Sequence, residues 1–152
     1  TAAIDNRHRE YAYFPFRQVQ IRVNADGSVE GSATINYSDA VRYLVALGVS
    51  SEDIAEGAKK FNIPNASLPV YLKVKGSITG NTSSITVQQA QIARINIPEN
   101  LVNEYAPALN GLIDSIIRSR QPSYNIQKLD VENGNVHFVG NAPDKEQAVK
   151  SF

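Results

Sequence analysis

One stretch limits the fold more than any other. From Pro98 to Arg118, Leu101, Tyr105, Leu109, Leu112 and Ile116 recur at three- and four-residue spacing, and Val102, Ile113 and Ile117 widen the series. Side chains so spaced share one helix face, so the stretch predicts an amphipathic helix that must bury a broad apolar stripe. Glu99, Asn103, Asn110, Asp114 and Arg118 fall toward the other side. Pro98 suits a first helical position and Arg118 a last turn. Pro107 lacks an N–H and crowds the preceding turn, which predicts a kink or two abutting segments.

The flanking sequence reads as strands, so a sheet is the expected partner of the stripe. Val19, Ile21 and Val23 alternate with polar residues, Asp26-Gly27 signals a hairpin, and Val29, Gly31, Ala33 and Ile35 return. Ser38 is a candidate N-cap for a helix with Ala40, Tyr43, Leu44 and Leu47 on its apolar side, ended by Gly48. Ser50-Ser51-Glu52-Asp53 starts a second helix, reaching about Phe61. After a loop from Ile63 to Pro69, Val70, Leu72, Val74 and Ile78 alternate with Lys73 and Lys75, and Gly80-Asn81 turns the chain. From Ser84 to Ile97 the apolar parity slips twice, which predicts a bulge near Gln88-Gln89 and another near Arg94 in one long, bent strand. Asn133-Gly134 marks a last hairpin between Leu129-x-Val131 and Val136-x-Phe138. That hairpin echoes the first, either as a weak internal duplication or as the common look of glycine-turn hairpins.

These elements predict an α+β domain. Its parts are a curved antiparallel sheet of about six strands, a long kinked helix across one face, and a shorter helical pair at an end or on that face. The expected organisation is an N-terminal arm or stalk over 1–16, a single domain over 17–140 and a polar tail over 141–152. In the arm, Tyr11-Ala12-Tyr13-Phe14-Pro15-Phe16 either docks at a membrane surface or enters an edge strand. A chain of 152 residues buries enough of itself to fold without a metal or a disulfide.

Composition removes several kinds of chemistry. There is no Cys, so disulfides, Cys-ligated zinc and thiol catalysis are out. Lys+Arg equals Asp+Glu, so no net field gathers nucleic acid. Lys73, Lys75 and Arg94 lack interleaved aromatics and read as charges that protect an edge strand. His8 and His137 have no metal-ligand neighbour at useful spacing. The glycines form no phosphate loop, and no Ser sits in a nucleophile elbow. Glu99, Glu104 and Asp114 spread along a solvated helix face, where they would need a convergent partner such as His137 to act as acid and base. Asn65-Ala66-Ser67 and Asn81-Thr82-Ser83 match a glycosylation triplet and read as turns. No catalytic residue, cofactor or metal ligand is therefore assigned. The chain begins at Thr1 and contains no Met, which with the absent Cys suggests a processed, extracytoplasmic protein whose signal peptide or anchor preceded Thr1. A trimmed cytosolic protein is the alternative.

Leu68-Pro69-Val70-Tyr71-Leu72-Lys73-Val74-Lys75-Gly76-Ser77-Ile78, then Ala93-Arg94-Ile95-Asn96-Ile97-Pro98 before a helix, then the Leu129–Phe138 hairpin, carry a loose resemblance. It is to extracytoplasmic domains of membrane-anchored bacterial proteins of unknown function. Some of these look like half of a tubular lipid-binding module. Where they often have Gly before the basic residue, this chain has Ala93-Arg94. The resemblance implies a non-enzymatic binding or scaffolding domain near a membrane, with an envelope protein or an apolar ligand as partner and no nucleic acid. Val102, Tyr105, Leu109, Ile113 and Ile117 are the expected lining of an apolar site between helix and sheet. A protein-interaction module with that space filled, or a hydrolase whose site is not visible in sequence, are the competing readings.

Overall fold

The structure, a computed structural model, describes residues 15–46 and 48–142. The expected stalk and aromatic patch up to Phe14, Leu47, and most of the expected tail lie outside these residues. Within them the chain runs β1 (Phe16–Val23), β2 (Ser28–Asn36), α1 (Tyr37–Ala46), α2 (Ser51–Lys60), β3 (Ser67–Thr79), β4 (Thr82–Ile92), β5 (Ile95–Asn96), α3 (Glu99–Ser119), β6 (Asn125–Glu132) and β7 (Asn135–Asn141). The architecture is α+β with a strongly curled antiparallel sheet of seven strands.

β3 is the central strand. It pairs with β2 from Ser67 to Lys75, with β4 along its other edge, and with β6 at Ile78 and Thr79. Lys73 and Lys75 therefore lie inside the sheet rather than on an edge strand. Lys73 sits opposite Glu30 and Lys75 opposite Ser28, so the polar face mixes both charge signs. Cross-strand rows show how alternation builds the other face. Ile35–Leu68, Ala33–Val70, Gly31–Leu72 and Val29–Val74 pair across β2 and β3, and Ile92, Ala90, Val87 and Ile85 continue the rows onto β4. The expected bulge is present: Lys73 pairs with Gln89 and Val74 with Val87, leaving Gln88 without a cross-strand partner. That extra residue keeps Ile85, Val87, Ala90 and Ile92 on one face despite their odd spacing.

The second expected bulge is instead a turn. Ala93 and Arg94 both have positive φ, 54° and 65°, and β5 folds back so that Ile95 pairs with Ile92. Two left-handed residues in a two-residue connection are the pattern of a type I′ hairpin, which Asn-Gly forms far more easily than Ala-Arg. The parity slip at this point is thus a reversal of the chain.

α1 also starts differently from expectation. Asn36 Oδ1 accepts from Asp39 N at 3.1 Å, so Asn36 caps the helix in place of Ser38. α2 starts within the expected Ser50–Asp53 stretch, with Ser50 as its cap, its Oγ accepting from Asp53 N at 3.1 Å. α3 runs as one helix of 21 residues through Pro107, preceded by Pro98 at its N-cap. The break into two segments does not occur and the kink is not confirmed. Pro107 and Asn103 are both exposed, so the Asn103 carbonyl that loses its helical partner can turn to water.

Asn110 and Asp114, expected on the solvated side of α3, bind the sheet. Among the described residues, the outer edge of β4 has no neighbouring strand beyond its short pairing with β5. Asn110 fills that place: its Oδ1 accepts from Ile85 N at 2.9 Å and its Nδ2 donates to Ile85 O at 2.9 Å. Asp114 Oδ1 accepts from Ser83 N at 2.7 Å, and Ser83 Oγ donates to Asn110 O at 3.0 Å. Asn110→Ala strands both polar groups of Ile85 in a part-buried position and should cost on the order of 2 kcal/mol in urea unfolding. Asn103→Ala, on the exposed side, should stay within about 0.5 kcal/mol of the parent; equal effects would remove the clamp from the account. Replacing Ala93-Arg94 by Asn-Gly should raise stability by about 1 kcal/mol, and a loss would contradict the turn assignment.

Candidate functional site

α3 meets the sheet in two unlike ways on either side of Asn110. Toward its C-terminus, Ile117 is buried with Ile78 of β3 and Ile126 of β6, and Ile113 and Leu129 pack against them. Asn81 closes this end, with Oδ1 accepting from Ile126 N at 2.7 Å and Nδ2 donating to Asn125 Oδ1 at 3.0 Å. Toward the N-terminus the helix stands away from the sheet. An apolar cavity of about 680 Å³ lies there. Ile35, Leu68, Val70 and Ile92 form its sheet wall. Tyr105, Ala108, Leu109 and Leu112 form the α3 wall. Ala40, Val41 and Leu44 of α1, with Ile54 and Gly57 of α2 and Phe61 at its C-cap, make the remaining wall.

Of the five residues expected to line an apolar site, Tyr105 and Leu109 do so. Ile113 and Ile117 belong to the closed cluster instead. Val102 is half-buried and is not part of the cavity wall. The stripe is shared between two environments because α3 is fixed at its middle, and a stripe read from sequence carries no information on where the helix is pinned. Ala108 and Leu112 were within reach of the same periodicity; the sheet and α1–α2 walls depend on tertiary placement alone.

The α1–α2 wall is thinly held. Neither helix contains a fully buried residue, and Val45 of α1 is 47% exposed. α1 is tied to β1 by Arg17–Asp39 at 3.3 Å. α2 meets α3 through Lys60 and Phe61. The Lys60 ammonium pairs with Glu104 and lies 5.3 Å from the Tyr105 ring centroid, and the Phe61 and Tyr105 rings are 5.2 Å apart. Glu104, and to a lesser degree Tyr105, hold Lys60 in its charged form and raise its pKa against the opposing pull of desolvation. The charged residues of the cavity lining, Asp53, Glu56, Lys60 and Glu104, are all exposed and form a charged rim on α2 and α3. On the same sheet face, Ile21 and Leu72 remain 43% and 37% exposed across Gly31, extending the apolar surface beyond the cavity.

The carboxylates considered for acid–base chemistry have separate partners: Glu104 holds Lys60, and Asp114 holds Ser83. His137 is exposed on β7, its Nδ1 3.2 Å from Asp130 Oδ1, out of alignment for a hydrogen bond. Lys128 lies 3.0 Å from the other oxygen of Asp130. Among the described residues no group of three or more His, Asp and Glu could hold a metal ion. No described helix is long and apolar enough to cross a membrane. No protein-family model, curated protein or solved structure matches the chain, so nothing there bears on the resemblance to lipid-binding modules.

The Asp114 carboxyl is held below its ordinary range, first by the Ser83 hydroxyl and then by the Ser83 N–H. A depressed folded-state pKa gives stability that is present above the unfolded value and lost as pH falls through the folded one. Stability should therefore drop as acid takes the chain below about pH 4. Asp114→Asn should flatten part of that fall, leaving the shares of Asp26, Glu30 and Asp130, which are also lowered. Urea midpoints measured from neutral to acid pH check this; an identical slope in the variant would contradict it.

Proposed function

We propose that the chain is a non-enzymatic binding domain that takes an apolar ligand, such as a lipid chain, into the cavity between α3, the sheet and the α1–α2 pair. One observation carries the reading: a cavity of about 680 Å³ with apolar side chains from the sheet and all three helices in its walls and its charged residues exposed on α2 and α3. That size falls within the ~300–1,000 Å³ typical of small-ligand sites. Left without a ligand, such a space costs free energy because its apolar walls lack apolar neighbours. Water relieves that cost poorly on apolar walls, whereas an alkyl chain relieves it and removes apolar surface from water. The loosely packed α1–α2 pair supplies the way in, since local opening there breaks little buried contact.

The proposed setting is the cell envelope, beside a membrane that supplies such chains. The absence of Cys supports it, and the full-length gene product tests it through a signal peptide, lipidation signal or anchor preceding this domain. A second reading, a protein-interaction module, draws on β7: this edge strand exposes Val136, Phe138 and Val139 by about half.

Native mass spectrometry of protein purified from a lipid-containing host, followed by lipid extraction, should reveal a co-purifying apolar molecule. The neutral dye N-phenyl-1-naphthylamine should brighten on binding and be displaced by dodecanol. Ala108→Trp projects a large ring into the cavity and should weaken dodecanol at least about tenfold. No bound lipid and no dye response would leave the interaction module as the better reading.

A further inference from the structure

The charged rim of the cavity carries more information than its walls. An amphiphile whose chain occupies the cavity must place its polar end where the lining is exposed, between α2 and α3. Asp53, Glu56 and Lys60 recur at three- and four-residue spacing, so α2 contributes one charged edge to that rim. Glu104 faces them from α3 and takes the Lys60 ammonium. Among the residues that line the cavity, three carboxylates thus share one ammonium. Asp53 and Glu56 form no ion pair among the described residues. The N-terminus of α2 offsets part of the Asp53 charge, while Lys60, one turn on from Glu56, is taken by Glu104. The same rim holds an aromatic surface that already receives a cation: Lys60 Nζ sits 5.3 Å from the Tyr105 ring centroid, with Phe61 against that ring. Ring faces beside unpaired carboxylates are the chemistry that recognises amines and quaternary ammonium groups.

We infer that the ligand is an amphiphile with a cationic end, a long-chain amine or quaternary ammonium, and that the rim disfavours chains ending in a carboxylate. The inference rests on the apolar-cavity reading and names the class of ligand for that site. A free fatty acid would bring its carboxylate against Asp53 and Glu56 with the nearby ammonium already engaged by Glu104. A cationic end meets attraction from both and can share the Tyr105 ring.

The experiment is displacement of N-phenyl-1-naphthylamine from the whole chain at neutral pH and low salt, with three C12 competitors below their micelle concentrations. Dodecyltrimethylammonium should bind at least about tenfold tighter than dodecanoate, with dodecanol between them, and added salt should narrow the gap. In Asp53→Asn/Glu56→Gln the ratio should fall to within about twofold of unity, with folding checked by urea unfolding. Dodecanoate binding as tightly as dodecyltrimethylammonium would overturn this inference alone. A preference unchanged in the double variant would also overturn it, because the preference would then arise elsewhere. Failure of dodecanol to displace the dye would overturn the cavity reading and this inference with it.

Discussion

The Asn110 side chain, hydrogen-bonded both ways to the main chain of Ile85, is the contact on which the arrangement depends. It does for β4 what another strand would do, satisfying an N–H and a C=O on an open edge. It also sets where a long apolar helix lies on a curled sheet that offers no unique groove. Asp114, one turn later, takes the next free N–H at Ser83 and fixes the direction of the helix. Hydrophobic burial is non-directional and would accept many positions of α3 along the sheet. Two polar side chains aimed at one strand edge choose among them.

Pinning a helix at its middle on a twisted surface makes its two ends unequal. The C-terminal half closes on β3 and β6 and produces the cluster of Ile78, Ile117 and Ile126. The N-terminal half is carried away from the sheet, and α1 and α2 bridge the gap without burying any residue fully. Stability is thus concentrated at one end of the domain and an apolar cavity at the other. The link from α2 to α3 is a Lys60–Glu104 pair and a tilted Phe61–Tyr105 contact. Exposed ion pairs of this kind contribute little to stability, so the bridge can open at small cost. A rigid wall facing a loosely held one is the mechanical arrangement that lets a bulky apolar molecule enter.

Much of the frame was legible in the sequence, for reasons tied to particular residues. The stripe from Leu101 to Ile117 is a helix because its period is helical, and the Gln88 bulge could be placed because Val87 and Ala90 break an otherwise strict alternation. The misreadings share a cause: a local pattern with two physical solutions, decided by tertiary contact. A parity change at Arg94 fits a bulge or a reversal, and Ala-Arg lacks the usual chemistry of a tight hairpin. Asn110 and Asp114 are polar residues on a helix; only the open edge of β4 turns them inward. The division of the stripe followed from that clamp, so Tyr105 and Leu109 could not be separated in advance from Ile113 and Ile117.

Amide hydrogen exchange of the ligand-free chain tests this division most directly. The account predicts slow exchange, at the level of global unfolding, for β3 and β4 near Ile78 and Ile85 and for α3 after Asn110. It predicts that α1 and α2 exchange orders of magnitude faster through local opening, while the C-terminal half of α3 stays protected. Uniform protection across all three helices would contradict it, because the α1–α2 wall would then be as firmly packed as the Ile78–Ile117–Ile126 cluster.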